Sequence, residues 1–389
     1  MMKFLSRDRV RLRANGCVIC LRPNFTDEME CLHMLISSDI SQNLTTQQLV
    51  KIWAERYKPQ ISFSTQHHFV SDALLHMISP EGRQETVAKL HRSLIKLNCE
   101  FAAAKASELY ECTPLATSPS EVTRIVQCSV EIYLNLLEFY KQPSYVLTES
   151  LQDGKGDRDL RLVGLSITDV IKLASFMEPL LLEYQERHQI SNDWAKLGFL
   201  TTHLNFSNVA LLENLNAAEQ VFVRPYFKFL EEQVALPWLR VCAAASMHDF
   251  SSPAFQVVQH MLPEVEAISH RVYMNLVRQF PKTSTRRGRL DHPSVKHSCI
   301  RDLDMFQAYL WLCVLQGSLA PIEDELVRLC TMVMPRVGAT WEMAAVWNVL
   351  LIAEIMNHAW MSEQRFLKPY TNGMIRAFER SQSQFVLEA

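Results

Sequence analysis

Glycine is scarce in this chain, at 10 of 389 residues. Tight hairpins draw on glycine for positive-φ turns, so the shortage argues against a turn-rich sheet protein. Leu, Ala, Glu, Gln and Met recur instead, and no segment joins strand-like alternation to hairpin turn signals, so the expected fold is all-α. A strong charge of either sign is also missing: formal net charge is −3, and no nucleic-acid partner is expected. Long apolar runs are lacking. The most apolar span, WEMAAVWNVLLIAEIMNHAW (341–360), carries Glu342 and Glu354. Its uninterrupted core falls short of the ~20 residues that cross a bilayer, so it reads as a buried helix with no membrane insertion. The N-terminus, MMKFLSRDRVRLRANG, is basic but lacks a signal peptide's apolar region. With ten scattered cysteines, a reducing, cytoplasmic setting is expected. Finally, no G-x-x-x-x-G-K-[ST], G-x-S-x-G, H-E-x-x-H or Rossmann fingerprint occurs, so nothing specific suggests an enzyme.

What is present is a succession of helical patterns. Residues 1–40 read as an irregular arm holding Cys17, Cys20, Cys31 and His33 in a C-x2-C-x10-C-x-H pattern. These are zinc-ligand types, but C-x-H is not a usual ligand spacing, and isolated thiols are the simpler account. Gln66 to His68 and His91 carry no paired-ligand spacing either and read as surface or satisfied side chains. In LTTQQLVKIWAERY, Leu44, Leu49, Ile52 and Trp53 recur at helical spacing behind a threonine cap. Ser118-Pro119-Ser120-Glu121 is a helix start, Pro143 a stop, and LQDGKGDRD (151–159) a solvated loop.

The polar stretch 191–208 is the expected boundary between a helical domain at 41–190 and a second at 209–389. The halves share a weak echo. In each, a long helix ends in a turn (KQPSYVLTESL; QGSLAPIEDELV) and a further apolar helix follows. Two related domains, packed as a pseudo-dimer, are the economical interpretation.

The stretch HSCIRDLDMF (297–306) packs a thiol, a guanidinium and two carboxylates before a very apolar run. At helical spacing, Cys299, Asp302, Leu303, Phe306, Leu310 and Cys313 share one stripe. A carboxylate on an apolar stripe needs a positive charge or N–H donors. A nearby helix N-terminus would supply them, which is the plainest account. The preceding segment holds Lys282, Arg286, Arg287, Arg289, Lys296 and Arg301 against only Asp291 and Asp302. Such a loop suits a ligand with carboxylates at its edge and N–H groups inside, such as a linear tetrapyrrole. A solvated loop or a patch docking an acidic partner fits the charges equally.

CIRDLDMFQAYLWLCVLQGSLAPIEDELV resembles the chromophore-bearing region of phycobiliproteins, especially allophycocyanin subunits. The likeness continues more weakly through YFKFLEEQVALPWLRVCAAAS (226–246) and VGATWEMAAVWNVL (337–350). It implies two globin-like domains, the first degenerate, in a cyanobacterial light-harvesting assembly. It further implies a bilin, of phycocyanobilin type, held by a thioether to Cys299. Asp302 would accept from the pyrrole N–H groups and Arg301 would pair with a propionate. Lys296, Arg286, Arg287 and Tyr309 are the further expected contacts. Implied partners are phycobilisome subunits or linker proteins, with a homo-oligomer also open. The implied place is the cytoplasm, peripheral to the thylakoid surface.

The chain departs from the family pattern at Met305, Phe306, Ala308 and Ser318, and before the cysteine at Lys296-His297-Ser298. The first half offers only Cys128, followed by Ser129, Val130 and Glu131, and is expected to carry no pigment. Two alternatives therefore stand beside the pigment carrier. One is a pigment-free protein that uses the same fold to assemble or regulate phycobilisome subunits. The other is a globin-type stress sensor.

Overall fold

The computed structural model describes residues 43–59, 74, 76–110, 118–142, 146–150, 159–163, 167–191 and 194–388. The pattern C-x2-C-x10-C-x-H and the residues Gln66 to His68 lie outside them. The fold is all-α. In chain order the helices are α1 (Leu44–Ala54), α2 (Pro80–Lys89), α3 (Arg92–Tyr110), α4 (Pro119–Tyr140), α5 (Ile167–Ser191), α6 (Trp194–Leu212) and α7 (Ala217–Ala235). There follow α8 (Trp238–Ala244), α9 (Pro253–Met261), α10 (Val265–Gln279), α11 (Pro293–Gln316), α12 (Val327–Val333), α13 (Trp341–His358) and α14 (Met361–Glu388). A π-helical turn, Pro321–Leu326, leads into α12.

Two short hairpins depart from the expectation of no strands. Val146–Ser150 pairs antiparallel with Asp159–Val163, and residues 151–158 of the expected loop lie outside the described residues. Ser284–Thr285 pairs with Gly288–Arg289, Gly288 taking φ +124°, which places Arg286 and Arg287 at a tight turn.

Local rules explain most helix ends. The Ser118 hydroxyl accepts from the Glu121 N–H at 3.3 Å, with Pro119 in the first turn of α4. At α1 the cap is Asn43 rather than a threonine: its Oδ1 accepts from the N–H groups of Thr45 and Thr46. A reciprocal capping box between Asn216 and Glu219 starts α7. Gly317, at φ +64°, closes α11 with its N–H bonded to the Cys313 carbonyl.

The interior runs through both halves of the chain. The polar stretch 191–208, read as a boundary, lies largely within α6, whose Phe199, Leu200, Leu204 and Leu211 are buried. From Thr201 to Asn208 its polar groups are buried rather than solvated. His203 meets the Cys99 carbonyl at 3.1 Å, and Asn208 meets Tyr133 at 2.7 Å. Helix α6 packs on α3 from the first half and on α7 and α12 from the second. Helix α1 likewise crosses over: Trp53 stacks on Trp238 with centroids 5.6 Å apart, and the Thr45 hydroxyl donates to the Ala245 carbonyl at 2.8 Å.

Helix α11 lies at the centre of the second half, with every residue from Leu303 to Leu315 buried, as expected of a helix apolar on all sides. Helix α13 differs from its reading as a buried helix. Met343, Ala344, Trp347, Leu351 and Ile355 face the core, whereas Val349 and Ala353 are exposed. No described helix is long and apolar enough to cross a membrane.

Candidate functional site

Helix α11 begins at Pro293, with the His292 side chain accepting from the Ser294 N–H. Cys299 is therefore the seventh helical residue and Asp302 the tenth. That is too far along for the free N–H groups of the first turn to serve the acid. The donors come from a neighbouring side chain. Arg301 Nε and Nη2 both donate to Asp302 Oδ1, at 3.0 and 2.6 Å. The same guanidinium donates through Nη1 to Glu231 Oε1, 3.0 Å away on α7. Burial opposes the Arg301 charge, yet Asp302 and Glu231 together hold its pKa above the ordinary arginine value.

Glu231 is the centre of this cluster. His297 Nε2 lies 3.1 and 3.2 Å from its two oxygens. Asn205 and Asn208 offer their amide N–H groups at 3.5 and 3.4 Å. Burial alone would raise the pKa of Glu231, but His297 and Arg301 overcome it and hold the carboxyl well below the usual range. The same attraction raises the pKa of His297, whose side chain is half exposed. Arg287 joins from the hairpin, donating to Asn205 Oδ1 at 2.7 Å and to the Ser298 hydroxyl at 2.5 Å. It lies 4.6 Å over the Phe206 ring. Burial, then repulsion from Arg301, lowers its pKa.

Cys299 is buried at 6% exposure. Burial, reinforced by the Asp302 charge, pushes its thiol up to about 12. The cavity of about 340 Å³ beside Leu319 and Gly373 does not reach it. Nor does the one of about 370 Å³ beside Met274 and Arg278. The remaining expected contacts disperse. Lys296 is exposed, its ammonium 5.8 Å over the Tyr273 ring. Arg286 donates outward to the Leu109 carbonyl at 3.2 Å. Tyr309, ten residues beyond Cys299 and about 15 Å along the helix axis, donates to Glu325 at 3.3 Å, a carboxylate also gripped by Arg240. Thus Arg287, Arg301 and Asp302 come together, whereas Lys296, Arg286 and Tyr309 do not join them.

These residues do not fit an open-chain tetrapyrrole as placed. Thioether formation needs an accessible sulfur with thiolate character, and a site near pKa 12 under packed helices supplies neither. A pyrrole cradle needs an acid directed at the pigment, and Asp302 turns Oδ1 to two N–H groups of Arg301 instead. A propionate needs an arginine without a carboxylate, and Arg301 holds two.

A second cluster was not foreseen from the sequence. Asp304, two residues past Asp302 and so on another side of α11, is the deeply buried carboxylate of the run. It meets Arg56 Nη2 at 2.5 Å and accepts from the Ser269 hydroxyl at 2.6 Å. The same Arg56 nitrogen reaches Glu232 at 2.9 Å and Glu266 at 3.7 Å. Tyr57 donates to Glu232 at 2.7 Å, and Lys228 pairs with Glu266. Burial, reinforced by the charge of Glu232, raises the pKa of Asp304 despite its contact with Arg56. The only hint in the sequence was WAERY, an arginine and a tyrosine ending an amphipathic helix.

Among the described residues, no group of three or more His, Cys, Asp or Glu side chains is placed to hold a metal ion. His91 caps α3, its Nδ1 accepting from the Leu94 N–H at 3.2 Å. Cys128 is half buried, with an Arg124 N–H 3.7 Å from its sulfur. Comparison of the chain with family models, with curated proteins and with solved structures finds no match in any of the three.

Proposed function

We propose that this chain is a pigment-free interaction protein, the second of the three readings open from the sequence. One observation carries it: the thiol, guanidinium and carboxylate of the Cys-x-Arg-Asp run are already committed within the protein. Arg301 bridges Asp302 to Glu231 and so joins α11 to α7, while the Cys299 sulfur is packed away. Groups that would grip a ligand in a pigment carrier act here as a brace. Two globin-like modules remain the implied architecture, and phycobilisome subunits or linkers the implied partners, on the strength of the sequence resemblance.

The test is co-expression with bilin synthesis, followed by denaturing electrophoresis and zinc-enhanced fluorescence. The expected result is no covalent fluorescence, together with slow alkylation of Cys299 in the native protein and fast alkylation after unfolding. A fluorescent band lost in Cys299→Ala would overturn the proposal and restore the pigment-carrier reading. A Soret-like absorption band that survives Cys299→Ala would favour the globin-type sensor instead.

A further inference from the structure

Helix α3 packs on α4 and α6 with one side and leaves the other open. Ile95, Cys99, Ala102, Ala103, Ala106 and Tyr110 face the interior. On the opposite side Leu97 is 49% and Phe101 60% exposed. Ala104 is exposed and Leu94 is half-buried. Residues 94, 97, 101 and 104 are spaced by three, four and three, so these four side chains form one continuous seam. At 1.5 Å per residue it runs about 15 Å.

The charges beside the seam decide what fits it. Glu100 lies on one flank and Lys105 on the other, and both are exposed. Among the described residues Lys105 has no ion-pair partner. Glu100 meets only Lys96, one turn back, at 3.8 Å between exposed side chains. In heptad terms, Leu94 and Phe101 hold the first position, and Leu97 and Ala104 the fourth. Glu100 then holds the seventh position, and Lys105 the fifth of the next heptad. In a parallel helix pair the seventh position of one strand faces the fifth position of the other, five residues on. A two-fold axis along α3 therefore sets Glu100 against Lys105 of a second copy, and Lys105 against its Glu100. One heptad earlier the same positions hold Ser93 and Asn98, which are uncharged. An antiparallel pair would lay glutamate flank on glutamate flank and leave both ion pairs unmade. A partner charged with one sign would satisfy only one flank. Glu108, the next seam position, is exposed in the last turn of α3. Like charges would meet there, so the contact ends at Ala104.

We propose that the face of α3 from Leu94 to Ala104 is a homodimer contact, with two copies pairing through parallel α3 helices. Phe101 of each copy packs against Phe101 of the other, and the Glu100–Lys105 pairs close both flanks. A seam of three turns is small beside standard interfaces, so the expected affinity is micromolar. The contact needs neither a bilin nor a phycobilisome subunit, and its test is independent of the one at Cys299.

Sedimentation equilibrium of the full chain reads the association, and a monomer–dimer equilibrium is expected. Phe101→Asp should weaken it about tenfold or more. Glu100→Lys and Lys105→Glu each give the two flanks one sign and should each weaken it about fivefold. Mixing these two charge variants in equal amounts restores opposite charges on both flanks, and association should return to the unaltered level. All three sites are exposed, and circular dichroism checks that each variant keeps its helices. A chain that stays monomeric at every concentration overturns the proposal and leaves the face to a different protein. A dimer indifferent to Phe101→Asp also overturns it, by placing the contact elsewhere. So does a mixture of the charge variants that associates no more tightly than either alone, since the parallel register would then be wrong.

Discussion

Glu231 and Glu232 are adjacent on α7 but serve two different clusters, and the contrast separates what braces this fold from what locks it. The Glu231 cluster is built largely from residues near one another in the second half: Arg287, His297, Arg301 and Asp302. It opens to solvent through His297, whose side chain is 52% exposed. The Glu232 cluster joins residue 56 to residues 232, 266 and 304. Its centre is sealed, with the Arg56, Glu232 and Asp304 side chains at 7%, 5% and 5% exposure, while Glu266 at its edge is 37% exposed. One cation there answers several carboxylates, and its Nε and Nη1 have no hydrogen-bond acceptor. Stacking over Trp53 at 4.5 Å covers part of that deficit. A sealed ion cluster contributes little net stability when whole but is costly to break, because each remaining charge is stranded away from water.

That contrast can be broken most forcefully at Arg56. Replacing it by Met strands Glu232 and Asp304, and is expected to cost about 3–5 kcal/mol. Urea unfolding measures the loss, and proteolysis should show α1 released before the rest of the chain. Asp304→Asn should cost less, about 1 kcal/mol, since it removes only one of the carboxylates that share Arg56, and the one whose charge burial opposes. Equal losses for the two variants would mean that Asp304 carries its full charge in the native state. Second in size, Arg301→Met removes one of the two cations at Glu231 and leaves His297. The expected cost is about 2 kcal/mol, smaller because solvent still reaches the cluster. A loss as large as that of Arg56→Met would erase the distinction between brace and lock.

The smallest effect is a pH slope, and the sign follows from the direction of each shift. The folded pKa of His297 is raised above 6.5. Its stabilisation is therefore complete below 6.5 and is lost as pH rises through the folded value. Glu231 is shifted down from 4.5, so its stabilisation is present above 4.5 and is lost as pH falls through the folded value. Asp304 is shifted up. Its contribution is largest below the ordinary aspartate pKa and declines as pH rises through the raised one. Between pH 6 and 9 the native protein should lose roughly 0.5–1 kcal/mol that His297→Gln does not lose, after allowance for screening of the half-exposed ring. Chemical denaturation at fixed pH steps reads the difference, and parallel profiles would remove His297 from the brace.

Much of the fold was legible locally. Ser118-Pro119-Ser120-Glu121 starts a helix wherever it stands, because its hydroxyl answers a free N–H within the same turn. The turn at Gly317 was legible for a similar reason: a left-handed residue after an apolar helix favours glycine. The segment 191–208 was read as a boundary because it is polar and less periodic than its neighbours. In the structure His203, Asn205 and Asn208 bond to Cys99, Tyr133 and Glu231 across helices, partners that no window of sequence contains. Within the candidate site, spacing correctly put Cys299 and Leu303 on one buried stripe. It could not show that Asp302 would sit at the stripe's edge beside Arg301, or that Asp304 would be the buried acid. Both carboxylates precede the same apolar run, and only the positions of Arg56 and Glu231 tell them apart.

The sequence by itself determined the helical class, the helix starts that carry their own caps, and the surplus of positive charge between residues 270 and 302. Each depends on contacts within a turn or two, or on simple composition. Tertiary structure alone decided which acid is sealed, which cation answers it, and which side of α13 is left uncovered. Those outcomes depend on the cost of removing charge or apolar surface from water. That cost is set by neighbours tens to hundreds of residues away in the chain.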